Sequence, residues 1–379
     1  MKHEKVRRST QRLAILLCAI LGFLFAIRLE PVSAQTLPDW KQRWDRVLSE
    51  AKKEGKVVVL GPPGERIRHA MTNDFAKAFP DIAIEFVGSR TAEAITRLRS
   101  ERDAGIYGVD IMIGGTTSAN VSVKPLGALD PIEPALIPPE VTDVKNWRDG
   151  RLEFSDPATR LNLAFSLSVQ PALFYNLEQV QPREIDELNK LLDPRWKGRI
   201  VINDPVPAGA GQAVVRWIFH SLGLEQATDY LRKIRAQAGA VGRDQRQQVE
   251  WVARGKYAIL FGPDHLTAQQ LPGLKLGVLP DLRDIGGSTT AGFGSLMLIN
   301  RTPHPNAAKV FINWLLGKEG QTAFSKASGY GSQRVDVPTD HLPDYSLPKP
   351  GVKYWHGYLD RYVVRPPKEV ALMKEIFGK

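Results

Sequence analysis

The segment Leu192 to Gln212 constrains the fold more than any other part of the chain. It runs from a turn into the short apolar stretch Arg199 to Ile202, through a loop rich in Gly and Pro, and into AVVRWIFHSLG, whose apolar residues recur at helical spacing. A loop of this kind between a strand and a helix leaves unpaired backbone N–H groups at the strand end. The segment therefore predicts an α/β unit with a candidate anion site. An ordinary strand-to-helix turn is the alternative.

Residues 1–34 have the pattern of a secretory signal peptide, with a basic start, an apolar run from Leu13 to Ile27 and the small residues VSA at the end. The apolar run is short for a membrane-spanning helix, so we expect export with cleavage after Ala34. An uncleaved anchor is the alternative. The single cysteine, Cys18, lies inside this run, so the exported chain would have neither a disulfide nor a thiolate metal site.

The length and charge of the exported chain limit the classes of protein to which it can belong. Cleavage would leave 345 of the 379 residues. A chain of this length is too long to fold around a single hydrophobic core, so two lobes are expected. Cleavage would also lower the formal net charge from +10 to +6, because residues 1–34 hold six basic and two acidic side chains. The remaining charge is scattered, so nucleic-acid binding is not predicted. A modest positive field suits small anionic ligands.

Three small polar loops follow three predicted strands in the first part of the chain: GPPG, GSRT and GGTTS. The alternation of strands and helices predicts a mainly parallel sheet flanked by helices, and ligands bind beyond the carboxyl ends of such strands. Arg90 is the preferred contact for a carboxylate or phosphate, because a guanidinium offers two parallel donors. A solvated residue at a helix start is the alternative for Arg90. The other candidate ligand-binding residues in these loops are Thr91, Thr116, Thr117 and Ser118.

The second α/β unit supplies candidate residues for the opposite wall of a cleft. Ala210, Gly211 and Gln212 would donate backbone N–H groups from the start of a helix. Asp264 and His265 follow the predicted strand that ends at FG, and both are included as candidate ligand-binding residues. The alternatives are a helix-capping role for Asp264 and a surface role for His265.

Two apolar stretches, at 162–176 and 293–300, lack helical period and are predicted to be strands that cross between the lobes. The crossings divide the chain into a first part of lobe 1 at 35–163, lobe 2 at 164–291, and a second part of lobe 1 at 292–379. The aromatic-rich tail that begins at Pro338 ends in a short helix, and we expect it to pack against lobe 1. An interaction arm is the alternative for the tail.

Sequence signals for catalysis, cofactors and metals were not found: HExxH, GxSxG, GxxxxGK[ST] and a strand-associated GxGxxG are all missing. The segment Gly292 to Ser295 lacks the closing glycine of a nucleophile turn. We therefore predict no catalytic residue, no cofactor and no metal. An enzyme built on the same two lobes is kept as an alternative, with Asp264 and His265 as its candidate groups.

Two long motifs resemble the solute-binding proteins of ABC importers. LDPRWKGRIVINDPVPAGAG is similar to the family pattern "dPkWKGkI…DP…sG", and PHPNAAKVFINWLLGKEGQTAF is similar to "HPnAAklFidwlLspeGQ". The likeness extends over most of 40–334. It implies an α/β fold of the second periplasmic binding type, in which two lobes joined by two crossing strands close over a solute. It also implies a periplasmic monomer that delivers its ligand to a cognate permease in the inner membrane.

The closest branch of that family contains proteins that bind ferric ion, phosphorylated sugars, aminoethylphosphonate, thiamine or small organic acids. Its iron binders carry two adjacent tyrosines in the cleft, whereas this chain has no Tyr-Tyr pair, and Tyr330 stands alone. The resemblance therefore favours capture of a small organic anion. Ferric binding through a different set of ligands is the alternative.

Overall fold

The computed structural model describes residues 40–207, 209–264, 267, 273–363 and 366–378. The predicted signal peptide, residues 1–34, and the candidate His265 lie outside the described residues. Residues 43–379 form one compact unit, and of residues 1–42 only the last three are described, as the start of a helix. Within this described part of the chain, none of the helices has the length and apolar character needed to cross a membrane.

The helices and strands follow one another in the alternating order that the sequence predicts. The helices are α1 (Trp40–Glu54), α2 (Glu65–His69), α3 (Phe75–Ala78), α4 (Thr91–Asp103), α5 (Thr116–Ser118), α6 (Pro139–Thr142), α7 (Ala210–Leu222), α8 (Leu224–Gln237), α9 (Gln245–Ala253), α10 (Pro305–Leu316), α11 (Lys318–Ser328), α12 (Asp360–Val363) and α13 (Pro367–Phe377). The strands are β1 (Lys56–Gly61), β2 (Ala83–Gly88), β3 (Ile111–Gly114), β4 (Leu129–Asp130), β5 (Leu163–Ala164), β6 (Ser168–Gln170), β7 (Leu173–Asn176), β8 (Ile200–Asn203), β9 (Ala238–Gly242), β10 (Ile259–Phe261), β11 (Leu276–Leu279), β12 (Asp281–Leu282), β13 (Gly286–Thr290), β14 (Ser295–Ile299) and β15 (Tyr354–His356).

The first sheet has the strand order β2-β1-β3-β14-β4, with β5 also paired to β14. β1 lies parallel to β2 and β3, whereas β14 is antiparallel to its neighbours. Val57 and Val59 of β1 point into one core and Leu60 into another, because successive side chains of a strand point to opposite faces. All three are buried, since helices cover both faces of this sheet. We call the sheet and the helices packed on it the first lobe.

The second sheet has the order β11-β7-β10-β8-β9 and forms the second lobe with its own helices. β8 lies parallel to β9 and β10, and β7 is antiparallel to β10 and β11. The same alternation recurs here: Ile200 and Ile202 lie in a core with α7 and α8, and Val201 lies in the core on the other face with α9. Each lobe is therefore a sheet between two apolar layers.

A third, smaller sheet connects the two lobes. The stretch predicted as the first crossing supplies β5 to the first sheet, β6 to the third and β7 to the second. The return passes from β13 in the third sheet to β14 in the first, and β13 pairs antiparallel with β6. The predicted α/β fold with two lobes and two crossing strands is confirmed. The segment GGSTT that precedes the predicted return strand is β13 itself.

The end of the C-terminal tail packs differently from the prediction. β15 pairs with β13 of the third sheet, and Met373 and Phe377 of α13 are buried in the core of the second lobe beside α8. Earlier parts of the tail do contact the first lobe, since His341 Nε2 lies 2.8 Å from Ser325 Oγ of α11 and the Asp360 N–H of α12 donates to the carbonyl of Ser155 at 2.7 Å. The expectation that the tail packs against lobe 1 therefore fails for its terminal helix, α13. The apolar face of α13 is short, and it is buried by the partner that the chain topology brings within reach, which is α8. The lobe boundaries at 35–163, 164–291 and 292–379 stay a prediction.

A substitution in the tail helix tests this packing. Phe377 is 3% exposed in the second core, so Phe377→Ala should lower the free energy of unfolding by about 3 kcal/mol, as expected for deleting a buried ring. Urea unfolding would measure it. Leu177→Ala is the matched control, because Leu177 is 55% exposed and should cost less than about 0.5 kcal/mol. Equal effects of the two substitutions would mean that the tail is not part of the core.

Candidate functional site

A cavity of about 430 Å³ opens where the strand ends of the first lobe face the start of α7 across the third sheet. We call it the cleft cavity. Seven of the ten residues predicted from the sequence line it: Thr91, Thr116, Thr117, Ser118, Ala210, Gln212 and Asp264. Residues far apart in the chain therefore meet here, because the carboxyl ends of parallel strands share one edge of a sheet.

The wall from the first lobe consists of small polar side chains after β2 and β3. Thr91 is the first residue of α4, and Gly115 precedes α5 in an extended conformation. Backbone N–H groups in the first turn of a helix have no acceptor within that helix, so the start of α4 carries partial positive charge. Together with the hydroxyls of Thr116 to Ser118, this wall presents hydrogen-bond donors to the cavity.

The wall from the second lobe is the first turn of α7, which lies very close to the end of β8. A Cβ on Gly211 would lie 2.3 Å from the carbonyl oxygen of Asn203, so only glycine allows this approach. Gln212 is buried, and its Nε2 donates to the carbonyls of Pro205, at 3.4 Å, and Val206, at 3.2 Å. These contacts hold the loop before α7 against the helix, so the free N–H groups of the first turn keep a fixed direction.

Two predicted residues do not line the cavity. Arg90 is exposed at the start of α4, where its backbone N–H donates to Glu93 Oε2 at 3.2 Å. Gly211 is buried beneath the first turn, because its role is the close approach of helix and strand. The third, His265, is outside the described residues. The arginine that does line the cavity is Arg216, on the same face of α7 as Gln212.

Sequence reasoning missed Arg216, although a signal for it was present. Residues four apart on a helix lie on one face, so a predicted contact at Gln212 also predicts one at Arg216. Arg216 and Asp264 are the charged residues among the described residues that line the cavity. Arg90 was preferred because it directly follows a strand. The chain then continues from that strand end into α4 so that the Arg90 side chain projects to solvent.

Two tyrosines, Tyr330 and Tyr358, also line the cavity and are nearly buried. Burial raises the pKa of Tyr330 well above its usual value, and the negative charge of Asp264 raises it further. Burial likewise raises the pKa of Tyr358. Both rings are therefore protonated phenols at neutral pH. Tyr330 packs so closely on Gly292 that a Cβ there would lie 2.1 Å from its ring.

The floor of the cavity is a row of side chains on one face of the third sheet. Ser288 of β13 is paired with Gln170 of β6 on one side and with Trp355 of β15 on the other. Gln170 Nε2 donates to the carbonyl of Pro263 at 2.5 Å. Ser288 Oγ and Trp355 Nε1 are buried without a hydrogen-bond partner among the described residues. An unsatisfied buried group costs about 1–3 kcal/mol, so this row is polar at a cost to stability.

A larger cavity, of about 870 Å³, lies behind Trp355 on the other side of the tail. Its acidic and basic side chains balance, and two of its three aspartates already accept hydrogen bonds from the protein. Asp284 Oδ2 accepts from the Leu188 N–H at 3.0 Å, and Asp186 accepts from Lys190 Nζ at 2.6 Å. The cleft cavity is the better candidate, because both lobes and the third sheet contribute polar residues to its lining. In the described part of the chain, no three His, Cys, Asp or Glu side chains come together as a metal site.

The close approach of α7 to β8 can be tested by adding one methyl group. Gly211→Ala should lower the free energy of unfolding by about 1–3 kcal/mol, because the methyl group meets backbone atoms that cannot move aside. Thermal or urea unfolding would measure it. Gly115→Ala is the control, since its Cβ would lie 3.8 Å from the nearest carbonyl oxygen. A Gly211→Ala protein as stable as the control would show that the approach is looser than described.

Comparison with solved structures supports the fold. A Trichodesmium IdiA/FutA protein in complex with iron and citrate superposes with a TM-score of 0.68 at 17% identity, covering 86% of this chain and 100% of that one. The periplasmic binding protein AfuA of Actinobacillus pleuropneumoniae, with fructose-6-phosphate bound, gives 0.60 at 18% identity, covering 85% and 98%. At these identities the likeness shows the two-lobed fold alone.

Comparison of sequences identifies the family. A Salmonella typhi protein named as a putative 2-aminoethylphosphonate-binding periplasmic protein is 28% identical over 188 residues, which are 48% of this chain and 55% of that protein. The chain thus spans about half the length of this relative. The family model described as "Bacterial extracellular solute-binding protein" matches residues 70–347. The chain therefore belongs to the bacterial extracellular solute-binding protein family.

Proposed function

We propose that this protein is the extracytoplasmic substrate-binding component of an ABC importer, and that it captures a small organic anion in the cleft cavity by closure of its two lobes. It would be exported through residues 1–34, act in the periplasm as a monomer, and deliver the solute to a cognate permease in the inner membrane. The family and its structural neighbours are substrate-binding proteins, so no covalent step is proposed.

The observation that carries the proposal is the position of Arg216. Arg216 is the basic residue among the described residues that line the cavity. A guanidinium binds a carboxylate, phosphate or phosphonate through two parallel hydrogen bonds, and such charge-assisted bonds are about twice as strong as neutral ones. Arg216 belongs to α7, and the first turn of that helix adds backbone N–H donors to the same anion.

The wall of the first lobe supplies donors of a second kind. The hydroxyls of Thr91, Thr116, Thr117 and Ser118 face the same cavity, from the lobe that does not carry Arg216. An anion that reaches both walls gains contacts only when the lobes are closed, so its binding would favour the closed state. Affinity would then come from preorganised donors in a site that excludes water.

Size and polarity favour an organic anion over an inorganic one. The cavity of about 430 Å³ falls within the range of about 300–1,000 Å³ that is usual for pockets of organic ligands. Asp264 could accept a hydrogen bond from a cationic amine at the far end of the solute. Two of the similar proteins are described with organic anions, 2-aminoethylphosphonate in one case and fructose-6-phosphate in the other.

Ferric binding is the second candidate, because Tyr330 and Tyr358 both line the cavity and one structural neighbour has iron and citrate bound. Burial opposes it, since it raises the pKa of both phenols and iron needs the phenolate. A visible charge-transfer band on addition of ferric citrate would favour iron. A colourless protein that is stabilised by organic anions would reject it.

The ligand class can be found by thermal unfolding of residues 35–379 in the presence of single solutes. The panel would contain carboxylates, phosphate and phosphonate esters, sugars, thiamine and ferric citrate. A ligand at 100 times its dissociation constant adds about 2.7 kcal/mol of stability, which is a rise of a few degrees in Tm. Stabilisation by organic anions is the expected result. Stabilisation by neutral sugars alone would contradict the proposal.

Arg216→Gln should weaken binding of the stabilising anion about tenfold or more, because a charge-assisted hydrogen bond contributes about 1.5–3 kcal/mol. Isothermal titration calorimetry would measure the dissociation constant. Arg90→Gln is the matched control, since Arg90 is exposed and does not line the cavity, and its affinity should change less than about twofold. If Arg90→Gln weakened binding and Arg216→Gln did not, Arg90 rather than Arg216 would be the residue that contacts the anion.

A further inference from the structure

The C-terminal tail reaches the cleft cavity through β15, more than 60 residues after β13 in the chain. β15 runs parallel to β13, with Trp355 opposite Ser288, and β13 is one of the two strands that join the lobes. Trp355, Gly357 and Tyr358 of the tail all line the cavity. The tail is therefore part of the lining of the candidate binding site as well as a part of the second core.

Trp355 lies against the same face of α7 that carries Arg216. The guanidinium carbon of Arg216 is 5.7 Å from the centroid of the indole ring. One turn later on the helix, the ring of His220 is stacked on the same indole, with centroids 5.5 Å apart and planes 24° apart. Residues four apart on a helix share a face, so the indole covers about one turn of α7.

The indole itself has little freedom to move. It is 8% exposed, and a Cβ on Gly357 would lie 2.5 Å from its Cζ3 atom, so the ring edge fills the space that glycine leaves. Tyr362 closes another side, with ring centroids 5.6 Å apart. A ring held on several sides can serve as a fixed surface for a flexible neighbour.

Arg216 is the neighbour that needs such a surface. An arginine side chain has many rotamers, and its charge is useful in the cleft only if the guanidinium points there. Stacking on an indole face selects one direction, since the ring attracts the cation. Burial raises the pKa of Glu369 of α13, and the nearby positive charge of Arg216 opposes that rise. Two tail residues therefore interact with Arg216: Trp355 through its ring and Glu369 through its charge.

We propose that Trp355 is a positioning residue of the binding site, which holds the Arg216 guanidinium toward the anionic group of the solute and thereby makes the C-terminal tail a determinant of affinity. The inference rests on the proposed function, because it assumes that Arg216 binds the solute. It goes beyond that function by assigning a role to the tail, which the motifs shared with the family do not include.

The test is a double-mutant cycle with 2-aminoethylphosphonate and fructose 6-phosphate as probes, measured by calorimetry on the exported chain. Trp355→Leu should raise the dissociation constant about fivefold in the wild-type background, as expected for losing a partly desolvated cation–π contact. In the Arg216→Gln background the same change should have less than about a twofold effect. A residue that acts only on folding would have equal effects in both backgrounds, and that result would overturn the proposal.

Two further variants keep the test decisive. Trp355→Phe retains a buried ring with a weaker attraction for cations, so it should fold and show an intermediate loss of affinity, and it replaces Trp355→Leu if that variant does not fold. Trp251→Leu is the matched control, because Trp251 contacts Lys256 at 4.3 Å and lies away from the cavity. Its dissociation constant should equal that of the wild type.

The result also separates this inference from the proposed function. A wild-type protein that binds neither the probes nor any other anion of the panel would contradict the function and this inference together. A wild-type protein that binds an anion, with Trp355→Phe and Trp251→Leu indistinguishable from it, would leave the function standing and overturn the role of Trp355 alone.

Discussion

The pairing of β6 with β13 is the constraint on which the rest of this structure depends. It joins the outgoing and returning crossings, so the two lobes meet along a short antiparallel ladder. One face of that ladder carries Gln170 and Ser288 and forms the floor of the cleft cavity. Each lobe has its own two-layered core, so the lobes can rotate as bodies while the ladder stays paired. The position of the site and a means of closing it thus arise from one element.

The walls of the cleft depend on two positions where a neighbouring group packs so closely on the backbone that only glycine fits. Gly211 lets the first turn of α7 lie against the end of β8, and Gly292 provides the surface for the Tyr330 ring. A methyl group at either position would push a wall away from the cavity. The unsatisfied polar atoms of the floor and the buried tyrosines are costs that a packed apolar core would not carry. Such costs are common where a protein is shaped to bind.

The C-terminal tail contributes to the site in addition to the two lobes and the crossing strands. β15 extends the floor by one strand, and α13 packs against α8 in the second core. The tail thereby ties the crossing strand β13 to the lobe that carries α7. The outer face of α7 is thus supported by residues at the end of the chain, beyond the family motif at Pro303 to Phe324.

The sequence by itself determined the alternation of strands and helices, the two crossings, and the loops whose residues line the cavity, from Thr91 to Gln212. These features depend on local periodicity and on glycine and proline, which act over a few residues. Only the tertiary structure decided that Arg216 replaces Arg90 in the cavity, that Gly286 to Thr290 pairs with both β6 and β15, and that α13 packs on the second lobe. Those outcomes depend on which faces meet after folding, because the direction of an exposed side chain and the partner of a short apolar face are set by long-range packing that no local pattern encodes.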